Sequence, residues 1–435
     1  MRISFFGGAR EVGRSFILLE IKDKKIALDA GVKLGEHEEL PLIEKDELQD
    51  IDFFIISHAH LDHSGFLPHI IDYGLEKKIY LTKPTGELTM VLLSDYLNLS
   101  HPDINKKSLI TTQKMFSFLD YFKEYNINGI SIRLYPAGHI LGSSMIEISN
   151  GNEKILYTGD FTIKNTALLD GAYSKYLRAS TLITESTYGG KEDVFEQYKS
   201  IVNKFVNSIK DTILSGGKVL IPSFAVGRAQ EVLFILENHM RSGILPKANI
   251  YIDGMIRKAM RIYRHEVIYC NDAIQKRILI SDDDPFKSKY FHFIKGKGER
   301  LRVAKSKEPA IIVTTSGMLT GGPAFKYLEH IANNSNDKII LVGYQAEGTN
   351  GRKLKDGERK IVIDEKEIEI KNKVEYFHLS AHADRMQLLN FINSINGLKN
   401  IFVVHGEERK SIELADHFKN KFNVYVPKIK DSIEL

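Results

Sequence analysis

Short apolar runs separated by polar turns characterise the first 185 residues of the chain. Residues 51–57 (IDFFIIS) form a mostly apolar run bounded by polar residues, which predicts a buried β-strand. Residues 145–160 (MIEISNGNEKILYTGD) predict a β-hairpin that turns at Asn150-Gly151. Residues 85–125, between these two segments, favour helix. The N-terminal part is therefore predicted to be rich in strands.

The pattern changes after about residue 190. Apolar positions from Phe195 to Ile209 recur at helical spacing, and Gly216-Gly217 follows where that helix can end. Strand-like runs that precede helix-like or glycine-rich segments then recur at residues 218–223, 310–314 and 338–343. Such alternation predicts βαβ organisation with a parallel sheet. The last 60 residues return to strand, helix, strand, helix.

The composition is that of an ordinary globular protein. The chain has 435 residues, of which 43% are hydrophobic and 27% charged, a length that allows two or three domains. No apolar run reaches the roughly 18–20 residues that cross a bilayer. The N-terminal segment MRISFFGGAREVGRS lacks the features of a secretory signal. We therefore expect a cytoplasmic protein that does not associate with membranes.

The supply of possible metal ligands is set by the counts of cysteine and histidine. Cys270 is the one cysteine in the sequence, so neither an intramolecular disulfide nor a cysteine-based zinc site can form. Any metal must be held by carboxylates and by some of the 15 histidines.

Basic residues are clustered, although the net charge is only +4. Four of them fall within eight residues: Arg257, Lys258, Arg261 and Arg264. Others follow with few acidic residues between them: Lys287, Lys289, Lys295, Lys297, Arg300, Arg302, Lys305 and Lys307. Such clusters attract polyanions, which favours a nucleic-acid-binding face over a merely solvated one.

The hexapeptide His58-Ala59-His60-Leu61-Asp62-His63 directly follows the predicted strand at 51–57. A strand that ends there can direct several side chains into one cleft. Imidazoles and a carboxylate suit a borderline cation such as Zn²⁺ when no thiolate is available. Two further segments fit the same site. His139 lies among small residues in 137–144, and Asp160 ends the predicted hairpin, where a carboxylate can bridge two ions.

This order of motifs resembles the metallo-β-lactamase superfamily, and the resemblance implies two Zn²⁺ per chain. One zinc is then expected to be bound by His58, His60 and His139. The other is expected to be bound by Asp62 and His63, with Asp160 as the bridge between the two ions. Asp29, at the end of the run IALDAG, matches that family's first carboxylate motif, which orients the ligands without binding the metal.

The second zinc needs one more histidine, and the best candidate is His405, 245 residues after Asp160. So large a gap implies a domain inserted between ligands of one site. A core with such an insertion resembles the β-CASP nucleases, including the nuclease of the cleavage and polyadenylation specificity factor and its archaeal and bacterial homologues. The motifs that carry this resemblance are ESTYG (185–189), PSFAVGR (222–228), TSGML (315–319), GYQAEGT (343–349) and SAHAD (380–384).

The resemblance implies an α/β fold, in which a metallo-β-lactamase αββα sandwich is interrupted by a β-CASP domain with a parallel sheet flanked by helices. We expect the sandwich to comprise residues 1–188 and 361–435 and the inserted domain residues 189–360. The chain begins at the first predicted strand and ends about 30 residues after His405. Neither the KH-type domains nor the extra C-terminal domain of some relatives is therefore expected.

The function implied by the resemblance is hydrolysis of single-stranded RNA, internally, from the 5′ end, or both. In this family a histidine at the third motif, here His405, is typical of the RNA-processing branch. We expect His382 to be the general acid and Glu185 to orient it, with Asp62 and Asp160 completing the catalytic group.

Two glycine-rich loops at predicted strand-to-helix junctions are expected to bind RNA phosphates through backbone N–H groups. The candidate contacts in these loops are Ser223, Arg228, Ser316 and Gly317.

Two other functions stay open at this level. The first is a small-molecule hydrolase of the same superfamily, against which the long insertion argues. The second is a catalytically inactive RNA-binding scaffold of a processing complex, against which the presence of all the candidate ligands argues. A homodimer and membership of an RNA-processing or RNA-decay complex follow from the resemblance alone.

Overall fold

The computed structural model describes residues 1–35, 37–100, 104, 106–151, 153–281 and 283–435. These residues divide into two units. Unit 1 comprises Met1–Asn165, Asp170–Val194 and His382–Leu435, and unit 2 comprises Thr166–Leu169 and Phe195–Ala381. Across the described ranges, no helix has both the length and the apolar character needed to span a membrane.

The N-terminal part of unit 1 is rich in strands, as predicted. In chain order the strands are β1 (Arg2–Gly7), β2 (Phe16–Ile21), β3 (Lys24–Leu28), β4 (Phe53–Ile55), β5 (Lys78–Leu81), β6 (Phe116–Phe118), β7 (Glu124–Ile127), β8 (Ile130–Pro136), β9 (Ser144–Ser149), β10 (Lys154–Tyr157) and β11 (Thr181–Glu185). The helices are α1 (Lys45–Gln49), α2 (Leu61–Ser64), α3 (Leu67–Asp72), α4 (Lys83–Ser100) and α5 (Lys106–Met115).

Unit 2 alternates helices and strands. Its helices are α6 (Tyr198–Leu214), α7 (Arg228–Arg241), α8 (Ile256–His265), α9 (Asp272–Leu279), α10 (Lys297–Lys305), α11 (Pro323–Ile331) and α12 (Asn350–Lys355), with 3₁₀ turns at Val267–Tyr269 and Pro285–Lys287. Its strands are β12 (Lys218–Pro222), β13 (Asn249–Asp253), β14 (Phe291–Phe293), β15 (Ala310–Thr314), β16 (Lys338–Val342), β17 (Lys360–Ile363), β18 (Lys366–Glu369) and β19 (Lys373–Phe377).

The chain then returns to unit 1. The remaining elements are α13 (Arg385–Ser394), β20 (Asn400–Val404), α14 (Glu408–Phe418), β21 (Asn423–Tyr425) and β22 (Ser432–Glu434).

Unit 1 is a four-layered sandwich built on two sheets, with strand orders β22-β1-β2-β3-β4-β5-β6 and β21-β20-β11-β10-β9-β8-β7. Apolar side chains from the facing sides of both sheets, such as Phe5, Ile146 and Phe402, form the central core. Residues of α1, α3 and α4 pack on the outer side of the first sheet. Residues of α13 and α14 pack on the outer side of the second sheet. The αββα fold is thereby confirmed.

Unit 2 contains a sheet with the order β14-β13-β15-β12-β16-β19, in which every neighbouring pair is parallel. Apolar residues of α10, α11 and α12 pack against strand residues such as Leu220 and Ile312. Helices α6, α7 and α8 contact β12, β15 and β13 respectively. This is the parallel sheet that the alternating pattern predicted.

The prediction of helix over residues 85–125 is correct only in part. Helices α4 and α5 occupy much of this range, while residues 101–103 and 105 lie outside the described residues. Residues Phe116–Phe118 and Glu124–Ile127, however, are strands, because they hydrogen-bond to β5 and β8 respectively. Pairing with a neighbouring strand overrides the local helix preference in both segments. The hairpin predicted at 145–160 is formed by β9 and β10, with Asn152 outside the described residues.

In the structure the chain passes from unit 1 to unit 2 at Val194–Phe195 and returns at His382. The domain boundaries expected at residues 189 and 361 are a separate division and stay a prediction. The return at His382 has a clear cause, since β19 pairs in parallel with β16 and so belongs to the sheet of unit 2.

Candidate metal centre

The histidines and carboxylates singled out in the sequence follow strands of unit 1. Asp29 follows β3, His58 follows β4, and Asp160 follows β10, while Glu185 ends β11 and His405 follows β20. Strands β3 and β4 are parallel, as are β10, β11 and β20. Because parallel strands end at the same edge of a sheet, these side chains converge at one edge of the sandwich.

A three-histidine group is formed by His58, His60 and His139, whose ligand atoms lie within 4.8 Å of one another. His58 is fully buried behind β4. His139 lies in the loop after β8, where Gly138 adopts a φ of +72° that side-chain-bearing residues rarely adopt. The structure therefore brings together the residues that the resemblance assigned to one zinc.

A mixed group is formed by Asp62, His63, Asp160 and His405, again with ligand atoms within 4.8 Å of one another. Asp62 and His63 lie on the short helix α2, which begins directly after His60. His405 is brought in by β20, which pairs with β11 across 219 residues of sequence at the Thr181–Asn400 position. The mixed group therefore combines residues of unit 1 that precede unit 2 in the sequence with one residue that follows it.

Asp160 lies between the two groups. Its Oδ2 atom is 3.6 Å from Nε2 of His58 and 3.4 Å from Nε2 of His63. Its Oδ1 atom is 3.6 Å from Nε2 of His405. One carboxylate therefore faces histidines of both groups, which is the placement that a bridging ligand requires.

The chemistry of these atoms fits bound cations. His58 Nε2, His63 Nε2 and Asp160 Oδ1 are buried and have no hydrogen-bond partner among the described residues. A buried polar atom without a partner costs about 1–3 kcal/mol, so a ligand is expected to satisfy it. Ligand atoms of a tetrahedral zinc, with bonds of about 2.0–2.1 Å, lie roughly 3.3 Å apart. The spacings around Asp160 are close to that value.

Asp29 fixes the orientation of the mixed group. Its carboxylate is 2.7 Å from Nδ1 of His63, so that Nε2 of this imidazole is directed towards Asp160. The same carboxylate accepts hydrogen bonds from the Ser57 backbone N–H (2.7 Å), the Ser57 hydroxyl (2.8 Å) and the Tyr157 hydroxyl (2.6 Å). Hydrogen bonds of this kind set the tautomer and basicity of metal-binding histidines.

Two of the orienting residues were not found from the sequence. Ser15 Oγ is 2.8 Å from Nδ1 of His405, although 390 residues separate them. Tyr157 is fully buried and donates to Asp29 across 128 residues. Neither carries a sequence signal, because serine and tyrosine in strand-like runs are ordinary. Only the fold shows their role.

His382 and Glu185 form a pair beside both groups. Nδ1 of His382 is 2.9 Å from Oε2 of Glu185, and the other carboxylate oxygen of Glu185 accepts a hydrogen bond of 2.7 Å from the Phe161 backbone N–H. Nδ1 of His382 is also 3.9 Å from Asp160. Glu185 is thus held at both oxygens and holds the imidazole in turn.

Burial and neighbouring charges shift the pKa values of these groups. Burial lowers the pKa of His58 well below its usual value, and the adjacent His63 acts in the same direction. Burial also disfavours a charged His63, but Asp160 and Asp29 outweigh it and raise its pKa well above the usual range. For Asp160 burial favours the neutral form, yet the surrounding histidines, His405 first, hold its pKa well below normal. Burial likewise opposes protonation of His382, but Glu185 and Asp160 raise its pKa to about 9.

The residues predicted to contact RNA lie in unit 2, at the carboxyl ends of β12 and β15. A Cβ atom at Gly317 would be 2.8 Å from the backbone nitrogen of Phe224, so the two loops approach closely. The Ser223 side chain is buried, with its hydroxyl 3.5 Å from the Ile221 carbonyl, whereas Ser316 is half-buried and accepts from the Thr320 backbone N–H. Arg228 is the first residue of α7 and is 8% exposed. Their contact with RNA stays a prediction.

Comparison with known proteins covers the whole chain. Three family models match: a metallo-beta-lactamase superfamily domain at residues 18–187, a Beta-Casp domain at 229–354 and a Zn-dependent metallo-hydrolase RNA specificity domain at 367–427. The relatives include the transcription termination factor FttA of Methanocaldococcus jannaschii, 38% identical over 455 residues, with 100% of this chain and 72% of the relative covered.

Other relatives are similar to this chain at nearly the same sequence identity. FttA of Methanothermobacter thermautotrophicus is 36% identical, with 97% of this chain and 70% of the relative covered. FttA of Cenarchaeum symbiosum is 35% identical, with 100% and 70% covered. Among solved structures, a protein of unknown function from Enterococcus faecalis V583 superimposes with a TM-score of 0.62 at 14% identity, covering 100% of this chain and 99% of its own. At that identity the likeness concerns the fold alone.

Proposed function

Because the chain belongs to the β-CASP family of the metallo-β-lactamase superfamily, we propose that it is a zinc-dependent ribonuclease acting on single-stranded RNA. The observation that carries this proposal is the pair of ligand groups joined by Asp160, with the His382–Glu185 pair beside them. Hydrolysis of a phosphodiester requires neutralisation of phosphate charge and a proton for the departing oxygen. The two features supply these in one place.

Two zinc ions are assigned to the two groups, one to each, with Asp160 as the shared ligand. When bound, the zinc pair supplies Lewis acidity towards the phosphate and makes water a stronger nucleophile near neutral pH. The protein holds the histidine rings in the orientation that directs Nε2 towards the site. Asp29 does this for His63 and Ser15 does it for His405.

His382 is assigned as the general acid. Glu185 binds Nδ1 of its ring, which leaves Nε2, on the opposite side of the ring, as the atom to donate a proton. In the metal-free site Glu185 and Asp160 raise the pKa of His382 to about 9, which favours the protonated ring that a general acid requires. Glu185 then stabilises and orients the ring without touching the substrate.

RNA as the substrate has two independent supports. The C-terminal part of the chain matches a family model described as an RNA specificity domain. The relatives are named transcription termination factors, and termination releases an RNA transcript. We propose internal cleavage, cleavage from the 5′ end, or both, by a protein that works as a homodimer or within an RNA-processing complex.

The decisive experiment combines RNA cleavage with a metal assay. Purified protein is incubated with 5′-labelled and internally labelled single-stranded RNA, beside DNA of the same sequence, and bound zinc is measured by mass spectrometry. The wild type is expected to bind two zinc ions and to cut RNA. Asp160→Asn should lose zinc and activity together. His382→Ala should keep both ions and lower kcat by about 10²–10⁴-fold, the usual contribution of a general acid.

Matched controls are Asp416→Asn and His330→Ala, because both side chains are exposed and outside the two groups. Both controls should behave as the wild type. Intact RNA with the zinc-loaded wild type would overturn the assignment and leave the scaffold function in its place. Cleavage by the Asp160 and His382 variants at the wild-type rate would overturn the assignment of activity to this site.

A further inference from the structure

Unit 2 carries a basic and aromatic surface along its terminal strand, β14, and we propose that this surface binds single-stranded RNA. This β14 surface consists of Arg257, Lys258, Arg261, Lys289, Phe293, Lys295 and Lys297. The inference rests on the proposed RNA substrate and extends it to a second contact, made by residues of unit 2, whereas both proposed ligand groups belong to unit 1.

The charge of this segment is out of proportion to the rest of the chain. Residues 257–307 contain 14 lysines and arginines against 6 aspartates and glutamates, a formal net charge of +8. The whole chain has a net charge of +4, so the remaining residues together carry −4. An imbalance of this kind is typical of an electrostatic footprint for a polyanion rather than of a uniformly solvated surface.

The fold brings two separate basic stretches together. The guanidinium of Arg257, on α8, lies 5.3 Å from the ring centre of Phe293, on β14. At the other end of α8, Arg264 forms an ion pair with Asp284. Helix α8 therefore runs antiparallel to the segment that enters β14, which places Arg261 between these two contacts. The stretches at 257–264 and 287–297 thus form one surface.

Some cations of this segment form ion pairs within the protein, and others do not. Arg264, Arg277 and Arg300 are bound to Asp284, Glu237 and Asp253 respectively. Within the described residues, by contrast, no ion pair involves the six cations of the β14 surface: Arg257, Lys258, Arg261, Lys289, Lys295 and Lys297. All six side chains are exposed. They are therefore free to neutralise phosphates.

Aromatic rings accompany these cations. Phe291 and Phe293 are only half-buried, and His292 is exposed with its ring 5.6 Å from that of Tyr251. Strand β14 is the last strand of its sheet, so these rings border an edge with no further strand partner among the described residues. Rings beside cations are what single-stranded nucleic acids use for stacking and phosphate contact. This combination favours RNA over an acidic protein as the occupant.

The test compares two fourfold variants that remove the same charge. The first, Arg257→Gln, Arg261→Gln, Lys289→Gln and Lys295→Gln, removes cations of the β14 surface. The second, Lys199→Gln, Arg359→Gln, Lys366→Gln and Lys399→Gln, removes exposed cations elsewhere that also lack ion pairs among the described residues. Both are made in the Asp160→Asn background, so that a 30-nucleotide RNA stays intact during binding measurements over a range of salt concentrations.

The first variant should bind the RNA at least tenfold more weakly at low salt. The slope of log affinity against log salt should become less steep by about 3, since four phosphate contacts are removed and each contributes about 0.7 on a single strand. The second variant should change neither quantity by a comparable amount. Phe293→Leu should lower affinity without changing the salt slope, because it removes a ring and no charge. Equal effects of the two fourfold variants, or no effect of the first, would overturn the proposal.

Cleavage of a six-nucleotide RNA, measured with Asp160 restored, separates this proposal from the proposed function. Both fourfold variants should cut it at the wild-type rate. If the wild type fails to cut it while the binding difference persists, the β14 surface stands and the nuclease assignment fails. If the wild type cuts the six-nucleotide RNA while the two fourfold variants bind the longer RNA alike, the nuclease assignment stands and the β14 surface fails.

Discussion

The hydrogen bond between Ser15 and His405 holds the ring of one candidate metal ligand in place. His405 has a positive φ of 47°, a conformation that costs energy for a residue other than glycine. Its ring is held by Ser15 at 2.8 Å, and its backbone N–H donates to the Gly8 carbonyl. The loop after β1 thus positions a ligand that follows β20, the last strand to be added to the site.

Ser15→Ala is predicted to weaken cation binding by the mixed group about 10–100-fold and to leave the three-histidine group unchanged. The physical reason is that His405 loses the partner that fixes its ring. Stepwise zinc titration of the chelated protein measures both affinities. Ser4→Ala is the matched control, because the Ser4 hydroxyl bonds to Ser432, which belongs to neither ligand group. Equal affinity in the two variants would show that Ser15 has no positioning role.

The candidate ligands could be recognised from the sequence to very different degrees. The hexapeptide at 58–63 stands out because its ligands are adjacent in sequence, and chance rarely produces such a cluster. His139 and Asp160 gained meaning only from their order behind it, and Asp29 only from resemblance to a family. Ser15 and Tyr157 could not be predicted, because their partners are set by which strands meet in space.

At the scale of the element, the turn that follows β3 fixes the position of α2. A Cβ atom at Gly31 would lie 1.7 Å from the carbonyl oxygen of Asp62 and 2.7 Å from the backbone nitrogen of His63. The neighbouring Ala30 backbone N–H donates to the His63 carbonyl at 2.8 Å. The β3 turn and the ligand-bearing helix are therefore in direct backbone contact.

Gly31→Ala is predicted to displace α2 by roughly an ångström, since a carbon cannot approach a carbonyl oxygen so closely. Misplacement of this size costs about 10²-fold in rate. Zinc content and RNA cleavage measured together should both fall. Gly298→Ala is the control, because a Cβ atom there meets nothing within 4 Å and the residue lies in helix α10. Unchanged cleavage by Gly31→Ala would mean that this contact can relax without consequence.

Helices and strands could be predicted where a single apolar pattern dominated the local sequence. The run at 310–314 is a strand within those bounds, because four apolar residues and a buried threonine lie in the middle of a parallel sheet. Strands β6 and β7 were not foreseen, since their residues are half-buried or exposed and carry little periodic signal. Their strand character comes from the partners β5 and β8. Edge strands of this kind depend on the fold rather than on their own sequence.

At the scale of the whole molecule, the ligands of the two groups come from unit 1 alone, while unit 2 has its own core. Removal of cations by a chelator is therefore predicted to destabilise unit 1 selectively. With free zinc at 100 times its dissociation constant, the loss is about 2.7 kcal/mol for each ion removed.

Hydrogen exchange followed by mass spectrometry measures this effect along the chain. Protection should fall in peptides that contain the ends of β4, β10 and β20. Peptides from β12, β15 and β16 should be unaffected and serve as an internal control. A uniform change throughout both units, or no change at all, would contradict the prediction.

The pairing of β11 with β20 has a consequence for the order in which the protein can be made. Their hydrogen-bonded ladder joins residue Glu185 to Val404, and the main part of unit 2, Phe195–Ala381, is synthesised between them. A ribosome adds about 5–20 residues per second, so β11 waits roughly 10–40 s for its neighbour. During that interval its apolar edge is open and needs protection from other nascent chains. The three-histidine group is complete well before His405 emerges, so an early zinc ion can bind the growing polypeptide while the sheet is still unfinished.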